Sequence, residues 1–178
     1  MEKKIIVVFG SSRPKQGDAE YKLAHALGTE LAKSELVVCN GGYAGIMEAS
    51  ARGAKEAGGS TVGVTVIAFS KAANQWIDRE IRLPTLTARL MKLVELGDAY
   101  VILKGGTGTL LELASVWEFM NKGLMREKPI VVVGNFWNGV IDTLREELIW
   151  EGLGDCTKLI THAATPEECV AQLREKLK

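Results

Sequence analysis

Between Lys104 and Glu118 the chain reads KGGTGTLLELASVWE, with three glycines and two threonines in the five positions 105–109. A glycine-rich turn that enters a helix is suited to hold phosphate, because the first helical turn carries unpaired N–H donors and a partial positive charge. Glycine matters there because a side chain would keep the anion away from the backbone. The candidate cradle is Gly105, Gly106, Thr107, Gly108 and Thr109, and Glu112 follows three residues later. Leu110, Leu111, Leu113, Ala114, Val116 and Trp117 make the helix around Glu112 apolar. A carboxylate beside such an anion site and in an apolar helix is well placed for chemistry on a sugar ring. The T-x-x-E spacing of Thr109 and Glu112 equally fits a capping box, in which hydroxyl and carboxylate satisfy orphan backbone donors, so the two readings of Glu112 compete.

Two other loops have the same character. GSSRPKQGD (10–18) offers Gly10, Ser11, Ser12 and Arg13, and NGGYAG (40–45) offers Gly41, Gly42 and Gly45. Singly these motifs are weak: GGTGT lacks the GK[ST] of a Walker A loop, and the first loop lacks a full GxGxxG. Their force depends on whether the fold brings them together.

Short apolar, β-branched runs alternate with longer helical ones along the chain. KIIVVFG, ELVVCNGG, STVGVTVIAF, DAYVILKGG, KPIVVVGN and DCTKLIT read as strands. Between them, AEYKLAHALGTELAKS places Tyr21, Ala24, Leu27 and Leu31 on one helical face. Further helices are expected in IMEASARGAKEAGG, PTLTARLMKLVELG, the segment opened by Thr109, FWNGVIDTLREELIWEG and TPEECVAQLREKLK. The polar segment Ser70 to Leu83 is expected to be irregular. Continuous apolar strands separated by helices predict a parallel sheet buried on both faces, hence an α/β, doubly wound, Rossmann-like fold with helices on both sides. No repeat or composition break divides residues 1–178, so one domain is expected. In the common strand order the winding reverses between the first and fourth strands, which makes GSSR and GGTGT neighbours beyond the carboxyl ends of the sheet.

Composition narrows the ligand class. Acidic and basic residues balance at 22 each, and no long single-sign run draws the chain to nucleic acid or an anionic membrane. Cys39, Cys156 and Cys169 are far apart and lack CxxC spacing, which predicts reduced thiols and no metal site. The start MEKKIIVVFGSS has too short an apolar run for a signal peptide and reads as a first strand, so a cytoplasmic protein is expected. His25 and His162 have no ligating or catalytic partner at useful spacing and read as structural. Trp117, Trp137 and Trp150 read as core or interface residues, whereas Trp76, beside Asn74, Gln75 and Asp78, could edge a pocket.

FGSS, GGYAGIMEASARGAKEAGG, Arg89, KGGTGTLLE and WEFMNKGLMREKPIVVV, in this order and over most of the chain, resemble the LOG family of cytokinin-activating phosphoribohydrolases and its bacterial relatives. The family pattern is PGGxGTxxE. The resemblance implies hydrolysis of the N-glycosidic bond of a nucleoside 5′-monophosphate to free base and ribose 5-phosphate, without metal or cofactor, by a homo-oligomer. It implies Arg89 and Glu112 as catalytic residues; taken alone, Arg89 shares a helical stripe with Lys92 and Glu95 that also fits a solvated face. Many bacterial members carry the label lysine decarboxylase, but no lysine here stands in a pyridoxal phosphate context. The chain departs from the pattern at Lys104, which replaces proline and is expected to add a cation near the phosphate, and at Leu111, Val116 and TLTARLMK. It also resembles molybdenum-cofactor carrier proteins, which implies the alternative of a carrier that binds a pterin phosphate without hydrolysing it.

Overall fold

In the computed structural model, which describes residues 3–69 and 71–178, the apolar runs form one seven-stranded parallel sheet. The elements are β1 (Ile5–Phe9), α1 (Ala19–Lys33), β2 (Val37–Asn40), α2 (Ile46–Glu56), β3 (Thr61–Val66), β4 (Arg79–Leu83), α3 (Leu86–Leu96), β5 (Ala99–Ile102), α4 (Thr107–Asn121), β6 (Ile130–Val133), α5 (Asn138–Trp150), β7 (Ile160–Ala163) and α6 (Pro166–Lys176). The sheet order is β4-β3-β2-β1-β5-β6-β7. The expected doubly wound α/β fold is therefore present.

Successive strand residues point to opposite faces, and each face builds its own core. Ile6, Val8, Val38, Val101 and Val131 pack against Leu27 and Leu31 of α1, Ala49 of α2 and Leu173 of α6. Val7, Phe9, Val64, Tyr100, Ile102 and Val132 pack against Leu93 of α3, Leu113, Val116 and Trp117 of α4, and Ile141 of α5. Both faces of the central strands are thus covered, which is why their sequences are apolar throughout instead of alternating.

One expectation is corrected. The polar segment read as irregular contains β4, which pairs in parallel with β3 from Val62↔Arg79 to Val66↔Leu83. Its alternation is that of an edge strand: Ile81 and Leu83 pack on the second core, while Arg79, Glu80 and Arg82 are exposed. Charges on the outer edge discourage pairing with another sheet, and they also disguise the strand as a loop. Ser70, where that segment was taken to begin, lies outside the described residues, as do Met1 and Glu2 of the first run. The strand DAYVI is consequently fifth in the chain, although it pairs with β1 as expected, from Ile6↔Ala99 to Phe9↔Ile102. The winding reverses between β1 and β5.

The tryptophans divide. Trp117 and Trp137 are buried, their indole N–H groups donating to the carbonyls of Cys156 and Leu103, whereas Trp150 is 80% exposed. Trp76 lies under the Arg52 guanidinium, 5.4 Å from the ring centroid. No helix among the described residues is long and apolar enough to cross a membrane.

Candidate active site

At the carboxyl ends of the strands, around the β1/β5 reversal, lies a cavity of about 970 Å³. Gly10, Ser11, Ser12 and Arg13 line it from the β1–α1 loop, and Gly106, Thr107, Gly108, Thr109 and Glu112 from the start of α4. Arg89 enters from α3. The topology alone accounts for this meeting, since neighbouring parallel strands deliver their following loops to the same edge.

Backbone hydrogen bonds fix the three loops to one another through Ser11. Its N–H donates to the Lys104 carbonyl (3.1 Å), and its carbonyl accepts from the Ile46 N–H (2.9 Å). Gly45 permits the second contact: it has φ +71°, and a Cβ there would overlap the backbone of Ser11 and Ser12. Gly41, Gly42, Gly45 and Gly105 do not line the cavity. The Gly42 N–H is already taken by the Asn40 side chain (2.8 Å), a Cβ at Gly41 would collide with the Arg89 guanidinium, and one at Gly105 with the Thr109 hydroxyl. These four glycines let the walls close up; Gly106 and Gly108 are different, because no heavy atom counted as a neighbour lies within 4 Å of where their side chains would begin.

The start of α4 removes the capping-box reading of Glu112. The helix begins at Thr107 with Gly106 as its N-cap, three residues earlier than a capping box would require, and no side chain caps it. Thr109 is a buried residue of the first turn, and Glu112 lies one turn further on. The first-turn donors are left without a side-chain partner at the cavity mouth.

Arg89 is not part of a solvated stripe. It is buried, whereas Lys92 and Glu95 on the same helix pair with each other at the surface (3.0 Å). Its Nε donates to the Val64 carbonyl of β3 (2.8 Å), Nη2 lies 3.9 Å from the Met47 sulfur, and Nη1 lies 3.6 Å from Oε1 of Glu112. At that separation the two form an ion pair without a hydrogen bond of normal length. The Glu112 side chain is 15% exposed. Burial pushes its carboxyl up to about 7, and the Arg89 charge pulls in the opposite direction. A carboxyl that titrates near neutrality beside a fixed cation can hold or release a proton at physiological pH.

Lys104 does not supply the expected cation to this cavity. Its ammonium pairs with Glu20 (2.7 Å) and sits 5.8 Å from the centroid of Phe136, on a separate depression of about 310 Å³ that shares Ser11 and Arg13 with the main cavity. His25 bonds Glu56 (2.7 Å) across α1 and α2, and His162 lies exposed on β7, neither lining the cavity. Among the described residues, no group of three or more His, Cys, Asp or Glu side chains could hold a metal ion.

The rest of the wall was not singled out from the sequence. Tyr43, Ala44, Met47 and Glu48 come from the β2–α2 loop and the start of α2, and Phe69, Lys71, Ala72 and Asn74 from the connection between β3 and β4. In NGGYAG the signal was taken from the glycines, whereas the residues between them reach the cavity.

Fold and cavity together define a Rossmann-like α/β protein with a cavity at the topological switch point. Residues 3–170 match the model of the SLOG cluster4 family, and the chain belongs to that family. It is 32% identical over 136 residues to the cytokinin riboside 5′-monophosphate phosphoribohydrolase of Rhodococcoides fascians, covering 74% of this chain and 68% of the relative. The enzyme of the same name from Mycobacterium tuberculosis is 32% identical over 150 residues, covering 78% and 79%. Among solved structures, the molybdenum cofactor binding protein from Rippkaea orientalis superposes with a TM-score of 0.76 at 27% identity, over 100% of this chain and 99% of that one.

Proposed function

We propose that the protein binds a nucleoside 5′-monophosphate or a close relative and hydrolyses its N-glycosidic bond, releasing free base and ribose 5-phosphate. The observation that carries this reading is the Arg89–Glu112 pair, buried one helical turn below an uncapped α4 N-terminus that opens on the cavity. The 5′-phosphate would sit on the N–H groups of Gly106, Thr107, Gly108 and Thr109, with Arg13 facing it from the first loop. That anchoring sets the ribose over Glu112.

In the reaction the C1′–N bond breaks and its electron pair leaves with the base nitrogen, which takes up a proton from solvent, replaced when Glu112 releases the proton it accepts from the attacking water. A water oxygen bonds to C1′ and passes a proton to the Glu112 carboxylate. Positive charge that develops on the ribose is stabilised by the same carboxylate, and Arg89 orients it. The activity of the two phosphoribohydrolases, each 32% identical, supports this choice.

The second reading, a carrier of a phosphorylated pterin, is favoured by one observation: the Rippkaea orientalis protein matches along the entire chain. One experiment separates the two. Purified protein is incubated with AMP, other nucleoside monophosphates and isopentenyladenosine monophosphate, and released base is measured. Base release supports the hydrolase; no release, together with a rise in Tm on adding a pterin monophosphate, supports the carrier.

We also propose that the chain forms a homo-oligomer. Leu86 and Met91 of α3 and Leu111 of α4 are large apolar residues exposed on the helices that bear Arg89 and Glu112. Light scattering would test this, and a monomer at micromolar concentration would refute it.

A further inference from the structure

The cavity has a second kind of wall that phosphate and ribose do not explain. Phe69 is 49% exposed at its rim, outside both cores, and its ring lies 5.9 Å from that of Tyr43 at an angle of 49°. Met47 lies beside them on the lining, and the Arg89 guanidinium carbon is 6.0 Å from the Tyr43 ring centroid.

The Tyr43 ring is held in place, and the connection that carries Phe69 is tied to its loop. The Tyr43 hydroxyl accepts from the Val66 N–H (2.8 Å), just before Phe69. The connection that carries Phe69 is pinned further along by Asn74, whose Nδ2 donates to the carbonyls of Gly42 (3.1 Å) and Tyr43 (2.8 Å) and whose N–H donates to the Gly42 carbonyl (2.8 Å). Glu80 of β4 accepts from the Ala73 N–H (3.2 Å) and the Thr65 hydroxyl (2.7 Å). Aromatic faces fixed in advance lose little freedom when a ligand covers them.

The sheet order sets their place along the ligand. The start of α4 follows β5, Tyr43 follows β2 and Phe69 follows β3, so the rings stand two to three strand spacings, roughly 10–14 Å, from the phosphate cradle. Arg89, anchored on β3, reaches from the Tyr43 side of the cavity to Glu112 of α4. We infer that Tyr43 and Phe69 form the subsite for a flat heteroaromatic ring at the far end of a phosphorylated ligand, and that Phe69, by stacking on that ring, sets which ligand is held. This assignment rests on the cavity being the ligand site proposed above. Purines and pterins share the required chemistry, a planar π-face with a polar edge. Met47 adds a polarisable contact that adapts to the ring outline.

The test is calorimetric titration of the Glu112→Gln protein, in which turnover is slowed, and of wild type, with AMP, a pterin monophosphate, ribose 5-phosphate and inorganic phosphate. Ribose 5-phosphate carries the anchor without the ring. In wild type at least one of AMP and the pterin should bind more tightly than ribose 5-phosphate. Phe69→Ala should weaken that ligand about tenfold, the usual range for loss of one aromatic stacking partner, and leave ribose 5-phosphate within about twofold. Phe69→Tyr should restore the difference. The ligand that loses affinity identifies the ring source. The inference is overturned if neither ring-bearing ligand exceeds ribose 5-phosphate, or if Phe69→Ala changes all ligands equally or none. Absence of base release in wild type, with the Phe69-dependent gain intact, would remove the hydrolase reading and leave the ring subsite standing.

Discussion

Oε1 of Glu112 lies 3.6 Å from Nη1 of Arg89, and the carboxylate accepts no hydrogen bond from any described residue. A buried carboxylate normally collects donors. Here its acceptor sites face the cavity, so a water or ligand hydroxyl can use them. Glu112→Gln should lower turnover by about 10²–10³-fold, in the range for losing one electrostatic stabiliser, while AMP affinity stays within a few fold. Unchanged turnover would make Glu112 a structural residue only.

The acid limb of the pH profile should belong to the same group. The carboxylate is the active form in the proposed reaction, and burial pushes the Glu112 carboxyl up to about 7. Log kcat/KM should therefore rise with pH below about 7 and level off above it, reporting the free enzyme. In the residual activity of Glu112→Gln this limb should be missing; its persistence there would assign it to another group.

Stability should shift in the opposite sense. The folded protein holds the Glu112 proton more tightly than the unfolded chain, so this contribution is fully present below about pH 4.5 and lost as pH rises to about 7. Wild type should lose about 3 kcal/mol relative to Glu112→Gln across that window. Urea unfolding of both proteins at pH 5 and pH 8 measures the difference, and parallel changes would contradict it.

Gly41 should behave as part of the Arg89 site although it does not line the cavity. A Cβ there collides with the guanidinium, so Gly41→Ala should displace Arg89, lower Tm and reduce kcat/KM at least about tenfold. Combined with Arg89→Met the two changes should be non-additive by roughly 0.5–3 kcal/mol in unfolding free energy. Additive costs would mean that Gly41 acts elsewhere.

The two cations near the loops should separate cleanly. Lys104→Ala removes a surface pair with Glu20 and should change the affinity for ribose 5-phosphate less than about twofold. Arg13, on the main cavity wall, should cost about tenfold when replaced by alanine. Equal effects in titration would place Lys104 in the phosphate site after all.

Much of this architecture was legible in the sequence because buried parallel strands need unbroken apolar runs, and IIVVF, VVCN, AYVI and IVVV are such runs. REIRL was not, since an edge strand is covered on fewer sides and can carry charge at alternate positions. The candidate phosphate cradle could be picked out locally because its donors are consecutive backbone groups. The Arg89–Glu112 contact came only with the family resemblance, because it joins residues 23 positions apart and depends on how α3 and α4 pack. The capping-box pattern at Thr109 misled for a related reason: the helix starts earlier, where the turn after β5 allows it, and local spacing does not record that. Tyr43 and Phe69 escaped because their distance is set by β2 and β3 lying side by side.

The two cores lie on opposite faces of the sheet, and they serve different parts of the cavity. The helices that bear Arg89 and Glu112 pack on one face, whereas α1 and α2, which follow the loops carrying Ser11 and Tyr43, pack on the other. A conservative change under α3 or α4 thus reaches the wall that holds Arg89 and Glu112, and one under α1 or α2 the wall that holds Ser11 and Tyr43. Descendants of such a scaffold can remodel the two walls in separate mutational steps.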